Sequence, residues 1–286
     1  MDGRILDGKA LSDRIKEELK ERVGKLEVKY GRKPSLAVII VGNNPASQVY
    51  VRNKVKTAIY VGMNSRLITM AEDVTEEALL QMIDTLNRDP EVDGILVQLP
   101  LPKQIDEARV IDAIAKEKDV DGFHVLNVGD LWLGRHCSVP CTPKGILRLI
   151  DESGIDLCGK TAVVVGRSNI VGKPVAKLLL DRNATVIIAH SRTKDLKSVT
   201  LQADVLVVAV GRENVVTGDM VKPGAVVIDV GMNRNAAGKL CGDVDFVGAR
   251  QQASWITPVP GGVGPMTIAM LMENTVECFL DRVEKA

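Results

Sequence analysis

TAVVVGRSNIVGKPVAKLLLDRNATVIIAHSRT, residues 161–193, decides the fold. An apolar run (161–165) leads into the glycine turn Gly166-Arg167-Ser168-Asn169-Ile170-Val171-Gly172, a helix pattern, VAKLLLDRN, follows, and a second apolar run, ATVIIA, closes the unit. Val/Ile runs of this kind suit strands covered on both faces, and strand, turn, helix, strand is the βαβ unit of a parallel sheet. The same arrangement makes a pyrophosphate site, because free N–H groups and the helix dipole both face the anion. The motif departs from G-x-G-x-x-G, with Ser168 at the second glycine and Gly172 one residue late. A tight turn without a ligand is the competing reading.

The second run ends at His190-Ser191-Arg192-Thr193, where an NAD-selective site places an Asp or Glu on the ribose 2′-hydroxyl. No acid stands there. A hydroxyl beside an arginine suits a 2′-phosphate through charge-assisted hydrogen bonds, with Arg167 available from the first turn, so the cofactor expected is NADP rather than NAD. The bland alternative for Arg192 is a solvated surface charge. Two further runs, 205–211 and 225–231, close with Gly211 and Gly231 where a parallel sheet presents its ligand crevice.

Toward the N-terminus the runs LAVIIVG (36–42) and GILVQLP (94–100) alternate with helical periodicity at 10–26 and 75–87. The chain therefore reads as α/β, and 286 residues suit two domains. The boundary falls in RHCSVPCTPKG (135–145), after which Thr142 is expected to cap a helix with Pro143 in its first turn. Residues 265–286 read as a long helix that returns to the first domain, in which Met266, Met270, Leu271 and Met272 pack a core. The expected domains are 1–140 joined by 268–286, and 141–267.

Thirty-seven basic residues balance thirty-seven acidic ones, and only three Tyr, three Phe and two Trp occur. No field steers the molecule to nucleic acid or anionic membrane, and stacking platforms for single strands are not expected. The five cysteines lack a CxxC pair, which argues against a zinc knuckle or a disulfide framework and for a reducing compartment. No metal site is expected. The charged start does not read as a signal peptide, and no apolar run reaches the ~20 residues that span a bilayer, so the expected setting is the cytoplasm, without a membrane.

In the first half, Tyr50 and Lys54 lie four apart in SQVYVRNKVK and share a helix face. By itself this is most simply a half-buried helix face. Gln98 sits near the end of a buried strand, where an amide needs partners, and DVDGFH puts Asp119 and Asp121 in a loop, to cap the next segment or to bind a ligand amide.

Over essentially its whole length the chain resembles the bifunctional methylenetetrahydrofolate dehydrogenase/cyclohydrolase family. The blocks that carry the resemblance are SQVYVRNKVK, GILVQLPLP, KDVDGFH, PCTPKG, VVVGRSNIVGKPVA, AHSRT, KPGAVVIDVG and ITPVPGGVGPMT. The resemblance implies a folate-binding catalytic domain and a Rossmann-like NADP domain with the active site in the cleft between them, in a homodimer. It implies oxidation of 5,10-methylenetetrahydrofolate to the 5,10-methenyl cation and hydrolysis to 10-formyltetrahydrofolate, reactions of one-carbon metabolism and purine biosynthesis. Lys54 resembles the family's catalytic lysine, Gln98 its partner, Tyr50 the ring that packs on folate, and Asp121 the carboxylate that grips the pterin. Leu99, Gly261, Gly262 and Pro265 match the folate site, and Gly166, Arg167, Ser168, Ile170, Gly172, Ser191, Arg192 and Gly211 the nucleotide site. His124 receives no role. The segment VLNVGDLWLGRH (125–136) departs from the family, in which a proline usually follows the histidine. Rival readings are a monofunctional dehydrogenase of this family, another two-domain NADP dehydrogenase of amino-acid or shikimate type, and a non-enzymatic nucleotide sensor, against which Lys54, Gln98 and Asp121 stand intact.

Overall fold

The computed structural model describes residues 2–284. In chain order its strands and helices are β1 (Arg4–Ile5), α1 (Gly8–Tyr30), β2 (Ser35–Val41), α2 (Pro45–Tyr60), β3 (Asn64–Met70), α3 (Glu76–Arg88), β4 (Gly94–Val97), α4 (Glu107–Ala113), α5 (Val125–Trp132) and α6 (Cys141–Glu152). There follow β5 (Thr161–Val165), α7 (Gly172–Asp181), β6 (Thr185–Ala189), α8 (Leu196–Thr200), β7 (Val205–Val208), β8 (Val226–Asp229), β9 (Asn233–Arg234), β10 (Leu240–Cys241), α9 (Phe246–Arg250), β11 (Trp255–Ile256) and α10 (Val263–Val283).

Two compact units divide the chain. One comprises residues 14–141 and 268–286 and holds a parallel three-stranded sheet in the order β3-β2-β4. All seven residues of β2 are buried, as a strand covered on both faces requires. Ile39 and Val41 pack with Leu79 and Ile83 of α3 and with Ile95 of β4. Thr75 caps α3, its hydroxyl accepting from the Ala78 N–H at 3.2 Å. Asp93, before β4, is fully buried and held by both arms of the Arg32 guanidinium at 2.8 Å each and by Arg282 of α10 at 2.8 Å. That pairing ties the last helix to this sheet. Met266, Met270, Leu271 and Met272 are buried, as a core stripe should be. Lys285 and Ala286, expected to end this helix, lie outside the described residues.

The other unit comprises residues 1–13 and 142–267, with a parallel six-stranded sheet in the order β1-β11-β8-β7-β5-β6. β6 lies on one side of β5 and β7 on the other, so the strand order reverses beside β5, the position at which open α/β sheets bind ligands. Residues 1–13, which sequence adjacency alone places with the first domain, belong here because Arg4 and Ile5 pair with Trp255 and Ile256. The boundary helix starts at Cys141, so Thr142 is inside it rather than its cap, and the Thr142 hydroxyl lies 3.0 Å from that of Thr267.

Candidate active site

In the unit that contains β2, the strand ends at Gly42, whose φ of 76° turns the chain toward α2. α2 carries Tyr50 and Lys54 one turn apart. Lys54 Nζ donates to Gln98 Oε1 at 3.0 Å, across 44 positions of sequence. Gln98 is held at both ends, because its backbone N–H extends the sheet by donating to the Ile39 carbonyl at 2.9 Å and its Nε2 donates to the Leu99 carbonyl at 2.6 Å. A lysine offers only donors, so the amide oxygen must face it. Tyr50 and Lys54 both keep part of their surface open to solvent.

The DVDGFH loop separates its two carboxylates by task. Asp119 is buried and accepts from the N–H groups of Gly122 (3.0 Å) and His124 (2.8 Å) and from Asn127 Nδ2 (2.9 Å), so it shapes the loop. Asp121 lines a crevice with Val97, Leu99 and Phe123, and Asp119 also borders it. Burial pushes the Asp121 carboxyl up, the Lys54 charge opposes that push, and Asp119 adds to it. A carboxylate beside apolar side chains can accept from the N–H groups of a ligand.

His124 Nδ1 accepts from the Leu126 N–H at 3.1 Å and caps α5, a structural task. In the divergent segment the Val125 N–H donates to Asp112 at 3.4 Å, a bond that a proline there could not make. α5 exposes Val125, Leu126 and Trp132.

In the other unit the glycine turn has no room for side chains. Gly166 has φ 130°, and a Cβ there would lie 2.2 Å from the Ala209 carbonyl oxygen; one on Gly172 would lie 2.3 Å from the Gly166 oxygen. Ser168 Oγ accepts from the N–H groups of Val171 (3.1 Å) and Gly172 (3.2 Å), so a serine at the second glycine position orders the turn ahead of α7. Arg167, Ile170, Ser191 and Arg192 are exposed beyond the strand ends. The Thr193 hydroxyl accepts from the His190 N–H at 2.9 Å and closes the turn that carries Ser191 and Arg192. A cradle of bare backbone with the start of α7 behind it fits a pyrophosphate.

Gly261, Gly262 and Pro265 belong to this second unit, whereas Tyr50, Lys54, Gln98, Leu99 and Asp121 belong to the first. Their loop rests on the N-terminal segment: Lys9 N–H donates to the Gly261 carbonyl at 2.9 Å, the buried Ser12 hydroxyl donates to the Pro265 carbonyl at 3.0 Å, and a Cβ on Gly8 would fall 1.9 Å from the Gly262 oxygen. Spacing gave no signal for this support.

Sequence reading also passed over Asp229 and Asp243. Asp229 is buried at the end of β8 and accepts from the N–H groups of Gly231 (2.9 Å), Asp243 (2.9 Å) and Val244 (3.0 Å). The sequence signal for Asp229 is an acid closing the apolar run VVID, two residues before Gly231. Burial pushes Asp229 up to about 6, against the pull of those N–H groups and with a further push from Asp243. An unfolded Asp titrates near ~3.9. Between these values the native state holds the extra proton, so this group's contribution to stability falls as pH rises from about 4 to about 6. In urea unfolding, the stability of the protein minus that of Asp229→Asn is expected to decline over this window and stay level above it; a rise there would contradict the assignment.

No group of His, Cys, Asp and Glu able to hold a metal occurs among the described residues, and no helix among them is long and apolar enough to cross a membrane. The five cysteines are unbridged.

Residues 6–121 match the family model "Tetrahydrofolate dehydrogenase/cyclohydrolase, catalytic domain", and residues 140–283 match the "NAD(P)-binding domain" of the same family. The chain is 57% identical over 282 residues to the bifunctional protein FolD of Streptococcus pneumoniae serotype 4, covering 99% of each chain. Among solved structures, the bifunctional methylenetetrahydrofolate dehydrogenase/cyclohydrolase of Campylobacter jejuni superposes with a TM-score of 0.95 at 53% identity, covering 97% of this chain and 99% of that one. The Trypanosoma brucei enzyme, solved with NADP and an inhibitor, gives a TM-score of 0.95 at 41% identity over 100% of both chains.

Proposed function

The chain belongs to the tetrahydrofolate dehydrogenase/cyclohydrolase family, and from that premise we propose how its residues divide the two reactions. The protein is a bifunctional, NADP-dependent enzyme that oxidises 5,10-methylenetetrahydrofolate to 5,10-methenyltetrahydrofolate and hydrolyses this to 10-formyltetrahydrofolate. NADP, when bound, accepts the hydride. The glycine turn at Gly166 to Gly172 holds its pyrophosphate, with Gly211 and Ile170 beside it, and Arg167, Ser191 and Arg192 take the 2′-phosphate.

Oxidation asks little acid–base work of the protein, because the folate nitrogen lone pair expels the hydride; holding the substrate in reacting geometry is the main task. Tyr50 packs on the folate rings, Asp121 binds the pterin N–H groups, and Leu99 with the Gly261, Gly262 and Pro265 loop completes the folate contacts. Cyclohydrolysis needs a proton carrier. Water adds to the methenyl carbon and one of its protons goes to Lys54 Nζ in its neutral amine form. Lys54 passes that proton to N5 as the bond between that nitrogen and the carbon breaks, and the remaining hydroxyl proton leaves to solvent as the formyl C=O forms. Gln98 keeps the amine aimed at this path.

The observation that carries the reading is the contact of 3.0 Å between Lys54 and Gln98, in the same unit as Asp121 and its crevice. Purified protein supplied with the methenyl compound and no nicotinamide should hydrolyse it. Failure to do so, with NADP reduction intact, would favour the monofunctional dehydrogenase. For the 2′-phosphate contacts, replacing Ser191 with Ala and Arg192 with Leu together should raise the Michaelis constant for NADP about tenfold or more while that for NAD stays nearly constant. Equal losses with both would remove the assignment.

A homodimer in the cytoplasm, supplying 10-formyl groups to purine biosynthesis, completes the proposal. The unbridged cysteines support a reducing compartment. β3 is an edge strand with Leu67 exposed, and Ile59 and Tyr60 of α2 are exposed in the same unit, which supports association.

A further inference from the structure

Asp243 is fully buried and spends both oxygens on neighbouring chain. Its Oδ2 accepts from the N–H groups of Val210 (2.6 Å) and Gly211 (3.0 Å), and its Oδ1 from the Arg212 N–H (2.9 Å) and Asn233 Nδ2 (2.8 Å). Three consecutive N–H groups after β7 thus converge on one carboxylate. Asp229 fixes that carboxylate from behind through the Asp243 and Val244 N–H groups. Both flanking glycines are required by this packing: a Cβ on Gly231 would lie 2.3 Å from the Asp243 nitrogen, and one on Gly242 would lie 1.7 Å from Asp229 Oδ2.

The loop held in this way also walls the glycine turn, since a Cβ on Gly166 would strike the Ala209 oxygen at 2.2 Å. Its tip, Val210 and Gly211, is exposed. Within the sheet, β6 with the Ser191 and Arg192 turn lies on one side of β5, and β7 and β8 lie on the other. A dinucleotide whose pyrophosphate sits at Gly166 and whose 2′-phosphate sits at Ser191 must send its other half across β7 and β8.

We infer that Asp243, steadied by Asp229, is a positioning residue that sets the Val210 to Arg212 loop against the nicotinamide half of NADP. The inference rests on the reading of this unit as the NADP site. A carboxylate there does what an amide cannot, because Asn in place of Asp243 turns its NH2 group toward one or other pair of donors and leaves that pair unsatisfied. The loop then loses its fixed position while the glycine turn and the β6 side keep theirs.

The test uses the full-length enzyme and the variant Asp243→Asn. The dissociation constant for NADP should rise about tenfold, the loss of a charge-assisted pair of contacts. Two readouts should stay at wild-type values: the dissociation constant for adenosine 2′,5′-bisphosphate, which carries only the β6-side half, and the rate of hydrolysis of supplied methenyltetrahydrofolate, which needs no nicotinamide. Unchanged NADP binding would overturn the inference, and so would a parallel loss of bisphosphate binding or hydrolysis, which would mark general loosening. If Asp243→Asn does not fold, Asn233→Ala, which removes one donor and keeps the carboxylate, should give the same selective pattern at a few-fold; an even loss in all three readouts would overturn it. A wild-type enzyme that binds neither NADP nor the bisphosphate would instead fell the NADP reading, and the inference with it.

Discussion

Lys54→Met is expected to abolish hydrolysis of the methenyl substrate, with a loss of about 10²- to 10⁴-fold, while dehydrogenase activity falls only about tenfold. Methionine fills most of the volume of the lysine stem and offers no proton. Because Lys54 is only half-buried, water can take its place on Gln98 Oε1, so the fold should tolerate the change. The asymmetry follows from the chemistry: hydride loss from the methylene compound is driven by the substrate's own nitrogen, whereas cyclohydrolysis moves a proton twice. Separate assays of each half-reaction check it. Hydrolysis at the wild-type rate would remove Lys54 from the mechanism, and equal losses in both reactions would make it a substrate-binding residue only.

Gly166→Ala is expected to produce the opposite split. The methyl group would meet the Ala209 carbonyl oxygen at 2.2 Å and its carbon at 2.9 Å, and the residue would have to keep a φ of 130° that alanine strongly disfavours. Neither neighbour is a flexible side-chain end, so the turn must move, at about 2–4 kcal/mol. NADP binding should weaken by about a hundredfold or more, since the pyrophosphate contacts proposed for this turn are backbone groups whose positions are then wrong. Hydrolysis of supplied methenyltetrahydrofolate should persist below the lowered melting temperature, because Lys54, Gln98 and Asp121 belong to the other unit. Calorimetric titration with NADP beside the hydrolysis assay separates these outcomes; a proportional fall in both would show a global effect.

The two substitutions sit at opposite ends of what sequence reveals. Gly166 was readable because its chemistry is local: strand, turn and helix follow one another within a dozen residues. The six long apolar runs were readable for a related reason, since β2, β4, β5, β6, β7 and β8 lie in parallel sheets and carry continuous Val and Ile. β3 escaped, because NSRLITM is an edge strand with both polar and apolar residues exposed and lacks such a run. β1 escaped for want of length, and its pairing with β11 across the whole chain moves residues 1–13 out of the domain to which adjacency assigns them.

Long-range polar pairing was the hardest to see. Spacing puts Tyr50 and Lys54 on one helix face, but only the fold brings Gln98 to the amine, and resemblance rather than periodicity pointed to the pair. In DVDGFH the two acids look alike in sequence, and both border the crevice, yet three donors commit Asp119 to holding the loop. Asp229 and Asp243 were invisible for the same reason, since their partners are backbone N–H groups that no residue pattern reports.

The most direct test of the bifunctional, NADP-linked reading gives purified enzyme 5,10-methylenetetrahydrofolate, once with NADP and once with NAD, and follows reduced nicotinamide and the methenyl compound together. The reading predicts faster reduction with NADP and little accumulation of methenyl, because Lys54 passes it on to 10-formyltetrahydrofolate. Reduction accompanied by a lasting build-up of methenyl, or no reduction with either nucleotide, would contradict it.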